Sequence, residues 1–194
     1  YVGRRVHGHR EGKGTYSLVG QKTDETIGGT SLFYNGNRYV GQWRENKFNG
    51  NGSFKYLNGD TYEGSWTLDK REGHGIFTSA NGEHYDGKWS NDLKDGLGEM
   101  DYVNGDRYIG NWKQGFRDGR GEIVYKNGDQ YKGEWANNLK QGQGIYYYAN
   151  GEIYDGLWYN DVKMGRGKYN YKNGEHYEGQ WSDGIRQGYG IFLS

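Results

Sequence analysis

Asn104-Gly105-Asp106-Arg107-Tyr108-Ile109-Gly110-Asn111-Trp112, closed by Gly119-x-Gly121, decides how this chain folds, because the same spacing returns every 23 residues. Tyr-x-Gly-x-Trp begins at Tyr39, Tyr62, Tyr85, Tyr108, Tyr131, Tyr154 and Tyr177. The matching tryptophans are Trp43, Trp66, Trp89, Trp112, Trp135, Trp158 and Trp181. An Asn-Gly pair stands four residues before each Tyr, from Asn35-Gly36 to Asn173-Gly174. A Gly-x-Gly pair opens eleven residues after it, from Gly50/Gly52 to Gly188/Gly190. Tyr1, Gly3, Gly12 and Gly14 begin an eighth, imperfect copy in which Arg5 replaces the Trp. A fixed period of this length predicts a quasi-one-dimensional array in which each unit touches its neighbours.

Composition agrees with an array rather than a globule. Mean hydropathy is −1.17 and only 32% of the 194 residues are hydrophobic. Those values alone would suggest disorder. The period and a 17% aromatic content overrule that reading, since Tyr, Trp and Phe bury large area per residue. All 7 tryptophans, and most of the 37 glycines, fall at repeat positions. The 25 basic and 25 acidic side chains balance, which disfavours a nucleic-acid binder, because such a protein needs a basic excess. Without cysteine there is no disulfide framework and no thiolate metal site. No apolar run approaches the ~20 residues of a spanning helix, and no signal peptide is visible. Tyr1 lies inside a repeat, so the chain reads as an excerpt of a longer protein.

Within a unit the pattern predicts a hairpin. In the Tyr62 copy, Tyr62, Gly64 and Trp66 alternate on a strand and share one face. A six-residue connection, Thr67 to Glu72, is expected to follow, then a second strand from Gly73 to Thr78. Asn81-Gly82 is expected to form a two-residue type I′ turn. The fold class is therefore all-β: an elongated, single-layer antiparallel meander of about 16 strands, built from 23-residue hairpins with strands ~4.8 Å apart. Residues 1–194 read as one array, with regular copies from residue 39. The first copy carries an insertion at 17–31, either an enlarged surface loop or a partner-binding loop. One face holds the ring positions Tyr39, Tyr62, Tyr85, Tyr108, Tyr131, Tyr154 and Tyr177 with the seven tryptophans, interleaved with glycine. The other face is polar. The two end strands would expose unpaired backbone, so a homodimer, an end-to-end assembly or a covering cap is expected.

Tyr-x-Gly-x-Trp, Gly-x-Gly and Asn-Gly-Asp/Glu together resemble the MORN family (membrane occupation and recognition nexus repeats), over nearly the whole chain. The resemblance implies an interaction module. MORN-like proteins include radial spoke heads of cilia, adaptors that bind a myosin tail, protist cytoskeletal collars and junctophilin-like membrane tethers. Similar repeats precede a lysine methyltransferase domain and plant phosphoinositide kinase domains, and nothing in 1–194 resembles either enzyme. Cell-wall carbohydrate or choline repeats space similar residues, but their Gly-x-Trp-Tyr-Tyr core is missing.

Catalysis finds little support in the residues. His7, His9, His74, His84 and His176 lack a positioned acid or nucleophile, and His7-x-His9 is half a metal site. Asp60, Glu83, Asp106, Asp129, Glu152 and Glu175 recur after Asn-Gly, where a repeated carboxylate supports a turn rather than one asymmetric reaction. Gly73-x-Gly75 leads into a strand, so it lacks the helix N-terminus of a phosphate cradle. No cofactor is expected. Two rows stand out as partner-binding candidates. Arg71, Lys94, Arg117, Lys140, Lys163 and Arg186, with Phe48 as the exception, are expected in the long connections. There they would form a basic rail opposite the acidic row, serving solubility or docking an acidic partner or anionic head groups. One position earlier, Leu93, Phe116, Leu139, Val162 and Ile185 are expected at the connection tips. They either fold back on a Trp or form a partner surface. The leading expectation is a non-catalytic scaffold for cytoskeletal or axonemal protein partners, cytoplasmic, on the cytoskeleton or in a ciliary axoneme. The alternatives are a membrane tether, with weak binding to anionic phospholipid head groups, or a targeting module of a larger enzyme.

Overall fold

The computed structural model describes residues 1–17 and 36–194; the expected insertion, beyond Ser17, lies outside the described residues. The described chain is all strand and turn, and its sixteen strands form one open antiparallel sheet in chain order. They are β1 (Val2–Val6), β2 (His9–Ser17), β3 (Arg38–Arg44), β4 (Lys47–Lys55), β5 (Thr61–Thr67), β6 (Lys70–Thr78), β7 (His84–Ser90), β8 (Leu93–Asp101), β9 (Arg107–Lys113), β10 (Phe116–Val124), β11 (Gln130–Ala136), β12 (Leu139–Tyr147), β13 (Ile153–Tyr159), β14 (Val162–Asn170), β15 (His176–Ser182) and β16 (Ile185–Leu193). These residues group into two compact units, Tyr1–Asp95 and Gly96–Ser194.

In the first unit the packing is set by a ring lying across two strands. Gly64 of β5 pairs with Gly75 of β6, and the Tyr62 ring covers both. A Cβ on Gly75 would overlap Tyr62 Oη, Cζ and Cε2, and one on Gly64 would overlap the Gly75 backbone. The bare glycines thus let the ring reach Ser65, whose carbonyl accepts from Tyr62 Oη at 3.0 Å. Trp66 stands edge-on to Tyr62 at 5.0 Å and donates Nε1–H to Gly52 O at 3.1 Å. In the second unit Tyr131 does the same: its Oη donates to Glu134 O above the Gly133–Gly144 pair. Tyr39, Tyr62, Tyr108, Tyr131 and Tyr154 are essentially inaccessible, and each Trp is buried.

The turns are reversed from the sequence expectation. The expected six-residue connection is a two-residue turn, Leu68-Asp69, both at positive φ (51° and 69°), which is type I′ geometry. The same holds at Asn137-Asn138 and Asn160-Asp161. The strand therefore resumes at Lys70 rather than Gly73. The surplus residues become a bulge: Trp66 pairs with Arg71 and Gly64 with Gly75, so the register shifts between them. The Asn-Gly site, expected to be the two-residue turn, is a three-residue loop. Gly82 N–H donates to Ser79 O at 3.0 Å and Ser79 N–H to Glu83 O at 2.9 Å, with Gly82 alone at positive φ (100°). This is a type I turn closed by a left-handed glycine. The Asn works through its side chain instead. Asn58 Oδ1 accepts from Asp60 N–H at 3.1 Å and Asn58 Nδ2 donates to Asp60 Oδ2 at 2.8 Å. That Asx bond holds Asn in a negative-φ position.

Two substitutions probe this account. Gly121→Ala, under the Tyr108 ring, is expected to destabilise by about 3 kcal/mol, the upper range for overpacking, against less than ~0.5 kcal/mol for exposed Ser53→Ala. Leu68→Asn places a residue tolerant of left-handed φ in a strained turn and should stabilise by up to about 1 kcal/mol. Urea titrations followed by tryptophan fluorescence measure both.

Candidate interaction surface

One face of the sheet is a chain of edge-to-face rings. In the first unit Tyr39 meets Trp43 at 5.2 Å and Trp66 at 5.6 Å, and Tyr62 meets Trp89 at 5.4 Å. In the second unit Tyr108 meets Trp112 and Trp135, Tyr131 meets Trp158, and Tyr154 meets Trp181 at 5.1 Å. Within each unit a Trp therefore lies between the Tyr of its own repeat and that of the repeat before. Pairs of this geometry contribute about 0.5–1.5 kcal/mol beyond their buried area.

The basic row lies on this face, and the expected free edge rail is not formed. Because the even strands begin three residues earlier than expected, Arg71 lies within β6 in the same parity as Gly73 and Gly75. Its Cζ sits 4.1 Å from the Trp89 ring centre. Arg117 covers Trp135 at 4.3 Å, and Lys140 and Lys163 cover Trp158 and Trp181 at 5.1 Å each. Lys94 Nζ is 4.9 Å from Tyr85, and Arg186 Cζ is 5.5 Å from Tyr177. In the imperfect copy Arg10 covers Trp43 at 4.5 Å. Phe48, the exception in the row, stacks on Tyr39 at 3.9 Å. A cation over an indole is favourable by about 0.5–2 kcal/mol, and its aliphatic stem shields the ring.

Within each unit, two ladders of hydrogen bonds tie one repeat to the next. At the type I′ turns, Arg71 N–H donates to Asp92 Oδ1 at 2.9 Å, and Asp92 N–H returns a bond to Arg71 O. Arg117 and Asn138 repeat this, as do Lys140 and Asp161. At the opposite turns the acidic row reaches forward: Ala80, Lys126 and Ala149 N–H donate to Asp60, Asp106 and Asp129. Tyr146 Oη donates to Asp129 at 2.8 Å and Tyr169 Oη to Glu152 at 2.7 Å. Burial opposes ionisation of Asp129, but the bonds from Ala149, Tyr146 and Asn127 hold its carboxyl below the usual range. The carboxylates thus serve the turns. Among the described residues no group of three or more His, Cys, Asp and Glu side chains is placed to hold a metal ion. His74 pairs with Asp86 on the exposed face, and His84 meets Thr78 Oγ1.

The apolar row begins the even strands rather than capping a long turn. Leu93 in the first unit, and Phe116, Leu139, Val162 and Ile185 in the second, face away from the rings and remain exposed, from 37% at Leu139 to 68% at Ile185. None is folded beneath a Trp. Leu157 and Tyr159, which the sequence reading did not single out, are exposed on the same face, and Tyr159 pairs directly with Val162.

Eight stretches of the chain, residues 1–20, 39–61, 62–84, 85–107, 108–130, 131–153, 154–176 and 177–194, match the family described as MORN repeat. The chain belongs to the MORN-repeat family. No match was found among curated proteins. Solved structures similar to it include the SAS-4 (dCPAP) TCP domain of Drosophila melanogaster, in complex with a proline-rich motif of Ana2 (dSTIL). That match has 20% identity, covers 75% of this chain and 79% of the other, and has a TM-score of 0.46. The wild-type TCP10 domain of Danio rerio CPAP matches with 13% identity, covering 76% and 69%, at a TM-score of 0.45.

The MORN array buries hydroxyls whose ionisation its rings resist. Burial raises Tyr39, Tyr62, Tyr108, Tyr131 and Tyr154 well above the ordinary tyrosine value of 10.0, and raises Tyr125 and Tyr148 to about 12. A group raised in the fold contributes stability that is complete below its unfolded value and lost as pH climbs above it. Stability should therefore fall steadily above pH ~10, across and beyond the interval to about 12. Urea midpoints measured between pH 8 and 12 test this, and a flat profile through pH 11 would contradict it.

Proposed function

We propose that this MORN array is a non-catalytic scaffold that holds a protein partner on its open face, within a cytoskeletal assembly of the axonemal, radial-spoke kind. The observation that carries the reading is the exposed apolar row of the second unit: Phe116, Leu139, Val162 and Ile185, joined by Leu157 and Tyr159. Tyr, Phe and Leu exposed together on a strand face suit a protein surface better than a lipid head group. The cations that would attract anionic lipid lie over rings on the other face, where their charge is partly neutralised at Asp92 and Asp161. The resemblance to radial spoke heads supports the cytoskeletal setting.

The test is crosslinking in cells, with the chain as bait and mass spectrometry as readout. Links from the open-face lysines Lys113, Lys132 and Lys168 to cytoskeletal or axonemal proteins are expected. The double substitution Leu139→Ser, Val162→Ser should remove them with the thermal midpoint unchanged within a few degrees. Recovery only of membrane proteins, together with salt-sensitive binding to phosphatidylserine vesicles, would replace the scaffold with a tether. A large drop in midpoint would assign the row to packing.

A further inference from the structure

Lys163 differs from Arg71, Arg117 and Lys140 in the turn residue that faces it 21 positions onward, a difference it shares with Lys94, which faces Gly115. Opposite Arg71, Lys140 and Arg117 that turn residue supplies a polar side chain. Asp92 lies 3.3 Å from Arg71, Asp161 lies 3.6 Å from Lys140 Nζ, and Asn138 accepts from Arg117 N–H. For Lys163 that residue is Gly184, whose N–H bonds the Lys163 carbonyl at 3.1 Å and which has no side chain to offer. The ammonium is enclosed by rings instead, with Tyr169 at 4.7 Å, Tyr154 at 5.0 Å, Trp181 at 5.1 Å and Tyr148 at 5.2 Å.

The charged groups around it complete the picture. Among the described residues no carboxylate lies within ion-pair distance of Lys163. Asp183, on the adjoining turn, accepts from Ser182 Oγ. Glu152 is held by Tyr169 Oη and Asn150 Nδ2 and acts on Lys163 only across space. Tyr148, Tyr154 and Tyr169 have raised values and stay neutral near physiological pH. Desolvation thus dominates, opposed only by Glu152, and brings the Lys163 amine down to about 8.

We propose that Lys163 is a nucleophilic amine and a site of covalent acylation by acyl thioesters. The neutral Nζ attacks the thioester carbonyl carbon. The C–N bond forms, the C–S bond breaks, and the departing thiolate takes up the proton released from nitrogen. The products are an amide and a free thiol. The amide carries no charge, so the reaction ends the desolvation of an ammonium among rings and removes the cation from Trp181. A surface lysine gains neither.

Lys140 is the internal comparison. It also stands over a cluster of rings, Trp158, Tyr146, Tyr131 and Tyr125, yet it has Asp161. The full chain is incubated with a limiting amount of a small acetyl thioester between pH 7 and 10, and each lysine is quantified by peptide mass spectrometry. At pH 7.5 Lys163 is expected to react about ten-fold or more faster than exposed Lys132, and faster than Lys140, with its rate levelling off near pH 9. Gly184→Asp supplies the missing carboxylate. Its backbone suits aspartate, since Gly184 has φ 77° and Asp69, Asp92 and Asp161 have φ 69°, 71° and 67° at the same place. That variant should slow Lys163 by about ten-fold and leave Lys140 unchanged. Asp161→Gly is the converse and should speed Lys140. Lys163 reacting no faster than Lys132, or a rate indifferent to Gly184→Asp in a protein with unaltered circular dichroism, would overturn the proposal. Should Gly184→Asp not fold, an unaltered Lys140 rate in Asp161→Gly would overturn it equally.

Discussion

The whole arrangement depends on a phenol ring lying flat on backbone. Tyr62 can cover two strands only because Gly64 and Gly75, paired across them, both lack a Cβ. Once the ring lies there, its hydroxyl reaches the Ser65 carbonyl and its edges are free to meet Trp66 and Trp89. The tryptophan is then fixed by its own bond to the glycine carbonyl of the preceding repeat. One steric allowance per hairpin therefore sets strand register, ring orientation and the contact between neighbours. This accounts for a period without slippage: an insertion inside a hairpin would move a glycine out from under a ring.

A single sheet has no second layer to cover its apolar face, and here the cover comes from the row of cations. Arg71, Arg117, Lys140 and Lys163 lay their stems and charged heads over the indoles. Low mean hydropathy and a buried aromatic core are thereby reconciled, because charged side chains do the covering that leucine or a packed helix does elsewhere. The arrangement needs somewhere to place the charge, and the type I′ turns provide it through Asp92 and Asp161. Each turn residue also bonds the backbone of the preceding repeat. The same aspartates thus tune the cations and couple adjacent hairpins.

Much of this was legible in the sequence, and the parts that were not share a cause. Strand number and the ring face followed from the spacing of Tyr, Gly and Trp, because alternation alone places those side chains, whereas the opposite face, expected to be polar, also exposes Ile109, Phe116, Leu157 and Tyr159. The turn types did not follow. Asn81-Gly82 has the composition of a two-residue turn, but Asn81 uses its side chain in the loop and Gly82 alone takes positive φ. Leu68-Asp69 lacks the usual glycine, yet turns tightly. That error displaced Arg71 from strand to connection, and with it the whole basic row from the ring face to an imagined rail. The contact of Arg71 with Asp92 spans 21 residues and becomes visible only when two hairpins are laid side by side.

The division of labour between the faces bears on function. The ring face is already occupied by its own cations and closed by two ladders of turn bonds, so a ligand there would have to displace interactions that hold the hairpins together. On the open face, Leu139 and Val162 are each 37% exposed and neither takes part in those ladders. Their removal leaves every ring contact, cation and turn bond in place. A surface that can vary without touching the core is the kind on which repeat proteins vary their partners. The apolar character of that surface in the second unit is unexplained by folding, because the Tyr-on-glycine packing proceeds equally well where Lys47 and Lys70 stand at two of the three corresponding positions of the first unit. Association with another protein is the physical reading that gives those side chains a role.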